Sequence, residues 1–194
     1  HTPNSAEAPY QWSGAANAIL LAHQDLSGTW DVWVVPMEGA GPAARSAGPP
    51  RPFLQSPFRE MAARLSPDGR WLAYSSNETG RDEVYVVPYP EPGGRWQVST
   101  GGGHSPLWRA DGGELFFLGA DQGIMAVDVR AGATFEVGVP TPLFRIPLIG
   151  GPFPGYRYAV SRDGRRFLVN TPSGAAPEER LVVVTNWTAE LGGK

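Results

Sequence analysis

The stretch Leu65-Ser66-Pro67-Asp68-Gly69-Arg70-Trp71-Leu72-Ala73-Tyr74-Ser75 decides the fold. Leu65 ends one apolar run. Asp68 is a residue type that bonds its own backbone, and Gly69 takes the positive φ that closes a short hairpin. Trp71-Leu72-Ala73-Tyr74 then opens a second strand rich in aromatic residues. The same order returns in Trp108-Arg109-Ala110-Asp111-Gly112-Gly113-Glu114-Leu115-Phe116-Phe117-Leu118 and in Val160-Ser161-Arg162-Asp163-Gly164-Arg165-Arg166-Phe167-Leu168-Val169. A degenerate copy is Trp12-Ser13-Gly14-Ala15-Ala16-Asn17-Ala18-Ile19-Leu20-Leu21. The Asp positions fall 43 and 52 residues apart, and Ala15 stands 53 before Asp68. A period of roughly 40–50 residues is that of one propeller blade.

A third strand follows each hairpin: Asp31-Val32-Trp33-Val34-Val35, Glu83-Val84-Tyr85-Val86-Val87, Gly123-Ile124-Met125-Ala126-Val127-Asp128-Val129 and Arg180-Leu181-Val182-Val183-Val184. Edge-like segments come next at Arg51-Pro52-Phe53-Leu54, Arg95-Trp96-Gln97-Val98-Ser99 and Thr141-Pro142-Leu143-Phe144, where proline breaks no ladder. The fourth repeat has no clear outer strand, and Thr2 to Pro9 is the segment available to supply it. The expected fold is therefore all-β: a β-propeller of about four four-stranded antiparallel blades, either a partial propeller or half of an assembled one. A two-sheet sandwich with coincidental Asp-Gly turns is the competing reading. The constant strand order after each turn argues against it. The expected boundaries are an extension at 1–8, blades at about 9–56, 57–100, 101–147 and 155–191, and a tail at 192–194.

Composition agrees. The 194 residues include 25 Gly and 20 Pro, well above the roughly 12% usual for the pair, which limits helix content. The 7 Trp, 6 Tyr and 8 Phe exclude a low-complexity disordered chain. With no Cys there is no disulfide framework, thiolate metal site or Cys nucleophile. A formal net charge of -3 disfavours a general nucleic-acid binder. Apolar runs such as Ala18 to Ala22 are far shorter than the roughly 20 residues of a membrane-spanning helix. The start, His1-Thr2-Pro3-Asn4-Ser5, reads as mid-chain or tag-derived sequence, with the natural N-terminus expected upstream.

The run Ser66-Pro67-Asp68-Gly69-Arg70-Trp71-Leu72-Ala73-Tyr74 resembles the WD40-like (PD40) repeat of TolB-type propellers. Glu83-Val84-Tyr85-Val86-Val87-Pro88-Tyr89-Pro90, Arg95-Trp96-Gln97-Val98-Ser99-Thr100-Gly101-Gly102-Gly103, Arg166-Phe167-Leu168-Val169-Asn170 and Asn186-Trp187-Thr188-Ala189-Glu190-Leu191 extend the likeness. They are similar to the C-terminal region of bacterial membrane-anchored Ser/Thr protein kinases. The resemblance implies a sensor or scaffold module of a larger bacterial protein, in a periplasmic or other extracytoplasmic location. No kinase motif stands in this sequence, and four repeats are fewer than the six or more blades usual in TolB-type propellers.

Catalytic signatures are missing: there is no Gly-x-Ser-x-Gly nucleophile elbow, and Gly101-Gly102-Gly103 lacks the Lys-Ser/Thr of a phosphate loop. That triglycine reads as a flexible inter-blade connection. His23 reads as a strand-end polar residue. Asp68-Gly69, Asp111-Gly112 and Asp163-Gly164 read as structural turns rather than metal ligands, since each belongs to its own blade. No metal and no cofactor is expected.

In a propeller, the segment entering each innermost strand lines the central opening. Here those segments are Pro9-Tyr10-Gln11, Phe58-Arg59-Glu60, Gly103-His104-Ser105 and Gly155-Tyr156-Arg157-Tyr158. They nominate Tyr10, Arg59, Glu60, His104, Tyr156 and Arg157 as a channel-mouth site for a protein or a small acidic ligand. The bland alternative is that Arg59 and Glu60 pair between blades. Trp30, Trp33, Trp71 and Trp96 read as blade packing rather than a sugar platform. The expected function is a non-catalytic interaction or ligand-binding module. The alternatives are an accessory propeller of a hydrolase (prolyl-oligopeptidase-like or glycosidase) and a purely structural dimerising domain. Self-association of half-propellers is the further partner expected, with no nucleic acid and no membrane insertion in this segment.

Overall fold

The computed structural model describes residues 6–39, 41–132, 134–146, 156–172 and 179–185, with side chains as far as Thr171 in the last blade. Among the described residues, seventeen strands form four antiparallel sheets in chain order. The first contains β1 (Ala6–Ser13), β2 (Ala18–Gln24), β3 (Trp30–Glu38), β4 (Arg45–Ser46) and β5 (Arg51–Leu54). β4 and β5 pair with different parts of β3, so this blade is four strands deep. The second is β6 (Glu60–Leu65), β7 (Trp71–Ser76), β8 (Glu83–Pro88) and β9 (Trp96–Gln97). The third is β10 (Gly103–Trp108), β11 (Glu114–Gly119), β12 (Gly123–Ala131), β13 (Phe135–Val137) and β14 (Thr141–Arg145). The fourth, over the described residues, is β15 (Tyr158–Val160), β16 (Arg166–Pro172) and β17 (Glu179–Thr185).

Alternation along the strands sends successive side chains to opposite neighbours. In β7, Leu72 and Tyr74 pack towards the first blade, with Ala18, Leu20, Val32 and Val34. Trp71 and Ala73 point the other way, onto Leu115, Phe117 and Val127 of the third. β11 repeats the division: its Phe116 and Leu118 meet Tyr158, Phe167 and Val169 of the fourth. Three apolar seams thus hold four blades.

The repeated turn is built by the same bonds each time. Ser66 Oγ donates to Asp68 Oδ1 at 2.5 Å and accepts from Trp71 N at 3.0 Å, while Arg70 N donates to Asp68 Oδ1 at 3.1 Å. Ser161, Asp163, Arg165 and Arg166 reproduce this with the same distances. In the third blade Arg109 replaces the serine, and its Nε donates to Asp111 Oδ1 at 2.7 Å. The glycines also stack turn on turn. A Cβ on Gly69 would stand 2.9 Å from Ala16 N in the first blade's turn, and one on Gly164 2.9 Å from Arg109 Cδ.

Several expectations change. Ala6 to Ala8, read as part of an extension, belong to β1 and pair with Ala22 to Gln24. Ala6 to Pro9 are therefore part of an innermost strand of the first blade, not an outer strand of the fourth. The outer segment Arg95 to Ser99 shortens to Trp96–Gln97, while Phe135–Val137 adds an outer strand that proline-free patterning did not single out. In the degenerate first turn, Asn17 rather than a glycine takes the positive φ, at 46°. The triglycine is not loose: Gly102 N donates to Glu83 Oε1 at 2.9 Å and Gly103 N to the Asp82 carbonyl at 2.8 Å. A side chain at Gly103 would collide with Ser99.

Candidate functional site at the propeller channel

Tyr10, Glu60 and His104 lie on the innermost strands β1, β6 and β10, and Arg59, Tyr156 and Arg157 lie just before β6 and β15. Three of these strands are bulged, between Pro9 and Gln11, Met61 and Arg64, and His104 and Leu107. A bulge re-aims backbone groups out of the ladder. Ala62 and Ser105 carry it with φ of 53° and 55°.

The freed carbonyls are met by side chains from other blades. Tyr156 Oη donates to Ala62 O at 2.6 Å and lies 3.2 Å from Pro106 O. Tyr158 Oη donates to Ser105 O at 2.9 Å. Arg64 Nη1 donates to Tyr10 O, and its guanidinium lies 3.8 Å from the centroid of the Tyr156 ring. Burial pushes the Tyr10, Tyr156 and Tyr158 hydroxyls up in pKa, so all three stay neutral; Tyr156 and Tyr158 donate, while the buried Tyr10 hydroxyl has no hydrogen-bond partner among the described residues. Tyr156 is thus tied to the bulges of the second and third blades, and the Tyr10 carbonyl to Arg64. Arg64, which sequence reading missed, ties blades one, two and four together.

A second group sits at the strand entrances. Arg59 Nη2 donates to both Asp82 oxygens, at 2.8 and 2.9 Å, and Arg59 N donates to Asn77 Oδ1 at 2.8 Å. The Arg59–Asp82 pair lies within one blade. His104 is held below its ordinary pKa by burial, with Asp82 opposing and Arg157 and Arg59 adding to the depression. Arg59, Asp82, His104 and Arg157 therefore share one electrostatic neighbourhood. Arg157 also anchors the edge of its blade, its carbonyl accepting from Asn170 N at 3.1 Å. Gly155 lies outside the described residues.

Glu60 belongs elsewhere, at the junction of the first two blades. It is 5% exposed and accepts from Ser56 Oγ. Asp31, 1% exposed, accepts from Gln55 Nε2 at 3.0 Å. Each carboxylate has one buried oxygen without a hydrogen bond, Asp31 Oδ1 and Glu60 Oε2. Burial raises both pKa values, and the Asp31 charge adds to the rise at Glu60.

Ser105 Oγ lies 3.0 Å from His104 Nδ1, with Asp82 in electrostatic range of the same ring. The strained φ at Ser105 is no catalytic signature: Ala62, with no hydroxyl, takes the same conformation at the matching bulge. His23 is 6% exposed and stacks on Trp33 at 4.1 Å, with Glu7 Oε1 3.4 Å from Nδ1. Among the tryptophans, Trp71 and Trp96 pack against Phe135 at the seam of blades two and three. Among the described residues no group of three His, Cys, Asp or Glu could hold a metal ion, and no helix is long and apolar enough to cross a membrane.

Four antiparallel blades packed face to face in chain order, three of them with bulged innermost strands, define a TolB-like, WD40-like β-propeller fold. Solved structures agree. The chain is similar to a puromycin-hydrolysing peptidase of Mycobacterium tuberculosis, with 21% identity and a TM-score of 0.64 over 95% of this chain and 30% of that one. It is similar to a TolB protein of Agrobacterium tumefaciens, with 14% identity and a TM-score of 0.59 over 90% of this chain and 60% of that one. TolB of Acinetobacter baumannii gives 13% identity and a TM-score of 0.53 over 93% and 52%. The chain thus spans about a third to three fifths of these proteins. No family model matches the sequence, and no curated protein matches it.

Proposed function

We propose that the chain is a non-catalytic binding module whose channel mouth receives an acidic group, a carboxylate of a small ligand or of a protein side chain. The observations that carry this reading are the Arg59–Asp82 ion pair at 2.8 Å and the His104–Ser105 contact at 3.0 Å at the strand entrances, with Arg59 and Arg157 in electrostatic range of a His104 ring whose neutral form burial favours. A neutral imidazole beside guanidinium groups suits a carboxylate, since charge-assisted hydrogen bonds are the stronger ones. Asp82 holds Arg59 in place, and Arg157 and His104 are the side chains proposed to contact the ligand. In a larger bacterial protein such a module would act as a sensor or scaffold, as in the extracytoplasmic part of a membrane-anchored kinase. The resemblance in the repeat motif supports that placement.

Fluorescence anisotropy with a labelled oligoglutamate peptide tests the site. Arg157→Ala and His104→Ala should each weaken binding about tenfold, or about 1.4 kcal/mol. Binding that neither change affects moves the site off the mouth. The second reading is an accessory propeller of a hydrolase, favoured by the likeness to the peptidase structure, of which this chain covers 30%. Turnover of ester, peptide or glycoside substrates by this chain alone would overturn the non-catalytic assignment.

A further inference from the structure

The hairpin turns of neighbouring blades stack on one another at the outer two junctions. A Cβ on Gly69 would stand 2.9 Å from Ala16 N, so the second turn lies against the first. Ala110 N donates to the Arg162 carbonyl at 3.3 Å, and a Cβ on Gly164 would stand 2.9 Å from Arg109 Cδ, so the fourth lies against the third. The middle junction is open. There the nearest atom to a Cβ on Gly112 is Pro67 Cδ, at 3.8 Å. A cleft of about 230 Å³ lies between the second turn and the third. Ser66 and Asp68 line it from the second blade, and Asp111, the bare backbone of Gly112 and Gly113, Val129 and Ala131 from the third.

This lining suits one chemistry. The Ser66 hydroxyl donates to Asp68 Oδ1, Gly112 N to the Arg109 carbonyl and Gly113 N to Asp111 Oδ1, so these donors are spent inside the turns. Both hydrogen bonds to the Asp111 carboxylate go to Oδ1, which leaves Oδ2 to accept another. The Arg109 bond holds the Asp111 carboxyl below its ordinary pKa. At Asp68 desolvation is outweighed by the Ser66 and Arg70 bonds, so both groups are ionised at neutral pH. Among the described residues, no lysine or arginine lines the cleft. Arg109 lies against the fourth turn instead. Val129, 5% exposed, and Ala131 offer only carbon at their side chains. A fitting ligand therefore carries donors and positive charge at one end and hydrocarbon at the other. The cleft is smaller than the roughly 300–1,000 Å³ of pockets for drug-sized molecules, so it admits one such group.

We propose that this cleft binds a primary ammonium group on an aliphatic stem, the ammonium between Asp68 and Asp111 and the stem against Val129 and Ala131. An ammonium has three donors and no acceptor. Its methylenes cover apolar surface while the charge stays in water. A free alkylamine and a lysine side chain of a partner protein share this chemistry. The cleft lies at the end of β10 away from His104, so the inference stands apart from the channel-mouth reading.

NMR titration of the isotope-labelled chain, followed at the Gly112 and Gly113 amides, is the test. The two probes are n-butylammonium chloride and a blocked tetraglycine peptide with one central lysine. Saturable shifts of both amides are expected. Asp111→Asn should raise the dissociation constant by roughly fivefold or more, through loss of a charge-assisted contact. Ala131→Leu, which fills the cleft without changing a charge, should abolish saturation. Asp163→Asn, the same change at a turn outside the cleft, should leave affinity as it was. A peptide that binds more tightly than the amine points to a protein lysine as the occupant. Equal or weaker binding of the peptide points to a free amine. Absence of saturable shifts, shifts reproduced by sodium chloride at equal ionic strength, or equal weakening by Asp163→Asn and Asp111→Asn overturns the proposal.

Discussion

The hydroxyl of Tyr156 donates to the carbonyl of Ala62 at 2.6 Å, across 94 positions of sequence. That bond, with the 3.2 Å approach to Pro106 O, joins the fourth blade to the backbone bulges of the second and third. Tyr156→Phe removes the donor and leaves the bulge carbonyls without it. The expected loss is about 1–3 kcal/mol of unfolding free energy, the cost of an unsatisfied buried acceptor. Urea unfolding measures it. A loss below a few tenths would mean that water replaces the hydroxyl and the channel is open at this depth.

The turn glycines separate conformational strain from steric stacking. Gly80 has φ of 87° and open space around its would-be Cβ, so Gly80→Ala meets only the left-handed penalty of about 1–2 kcal/mol. Gly69 has φ of 72° and would drive a Cβ into the backbone of Ala15 and Ala16, at 3.0 and 2.9 Å. Gly69→Ala should lower the urea midpoint clearly more than Gly80→Ala. Equal losses would show that the turns of blades one and two do not stack.

The buried carboxylates at the first junction give stability a defined pH dependence. Asp31 and Glu60 both have raised pKa values in the folded state, chiefly through burial. Each binds more protons folded than unfolded between its ordinary value, about 4, and its raised one. Their contribution therefore falls as pH rises through that window and stays low above it. Asp31→Asn and Glu60→Gln should raise Tm at pH 7 and flatten the decline between pH 4 and pH 7. Asp68 works in the opposite sense: its Ser66 and Arg70 bonds outweigh desolvation and lower its pKa, so its contribution disappears as pH falls. Thermal scans across pH 3–8 check both signs.

Phe135 is the clearest core test. It is 3% exposed, on the three-residue strand β13, and its ring meets Trp71, Trp96 and Trp108 at 5.0, 5.6 and 6.3 Å. Phe135→Ala leaves a cavity among three indoles and should cost about 3–5 kcal/mol. Tryptophan emission should shift to the red in the folded variant. An unshifted spectrum would mean that β13 does not seal this seam.

The repeat was legible because its turn chemistry is local. Asp68 and Gly69 sit in one hairpin, and the bonds of Ser66 and Asp68 span at most five positions. The channel was half legible. Strand order alone nominated Arg59, His104, Tyr156 and Arg157 as one group. It could not show that Asp82, on the loop before β8, captures Arg59, nor that the Tyr156 hydroxyl meets the Ala62 carbonyl. The bulges were hidden because Ala62 and Ser105 adopt positive φ without a glycine to announce it. Glu83 and Asp31 looked equivalent as first residues of third strands. Only their surroundings differ: Glu83 meets Arg81, Ser99 and Gly102, whereas Asp31 meets Gln55 alone among the hydrogen bonds described.

Arg64 was masked by its context, a lone cation in the apolar run Met61-Ala62-Ala63-Arg64-Leu65. Its placement yields the last prediction. The guanidinium has two separable tasks: donating to the Tyr10 carbonyl and lying flat on the Tyr156 ring. Lysine keeps the charge and one donor but has no planar face and no fixed fork. Arg64→Lys should therefore retain part of the stability that Arg64→Met loses, with the difference reporting the hydrogen bond and charge. A double-mutant cycle with Tyr156→Leu isolates the stacking, about 0.5–2 kcal/mol for a cation on an aromatic face. A coupling near zero would show that Arg64 bridges blades one and two only, and that the fourth blade is held by its tyrosine hydroxyls and the Phe116–Phe167 seam.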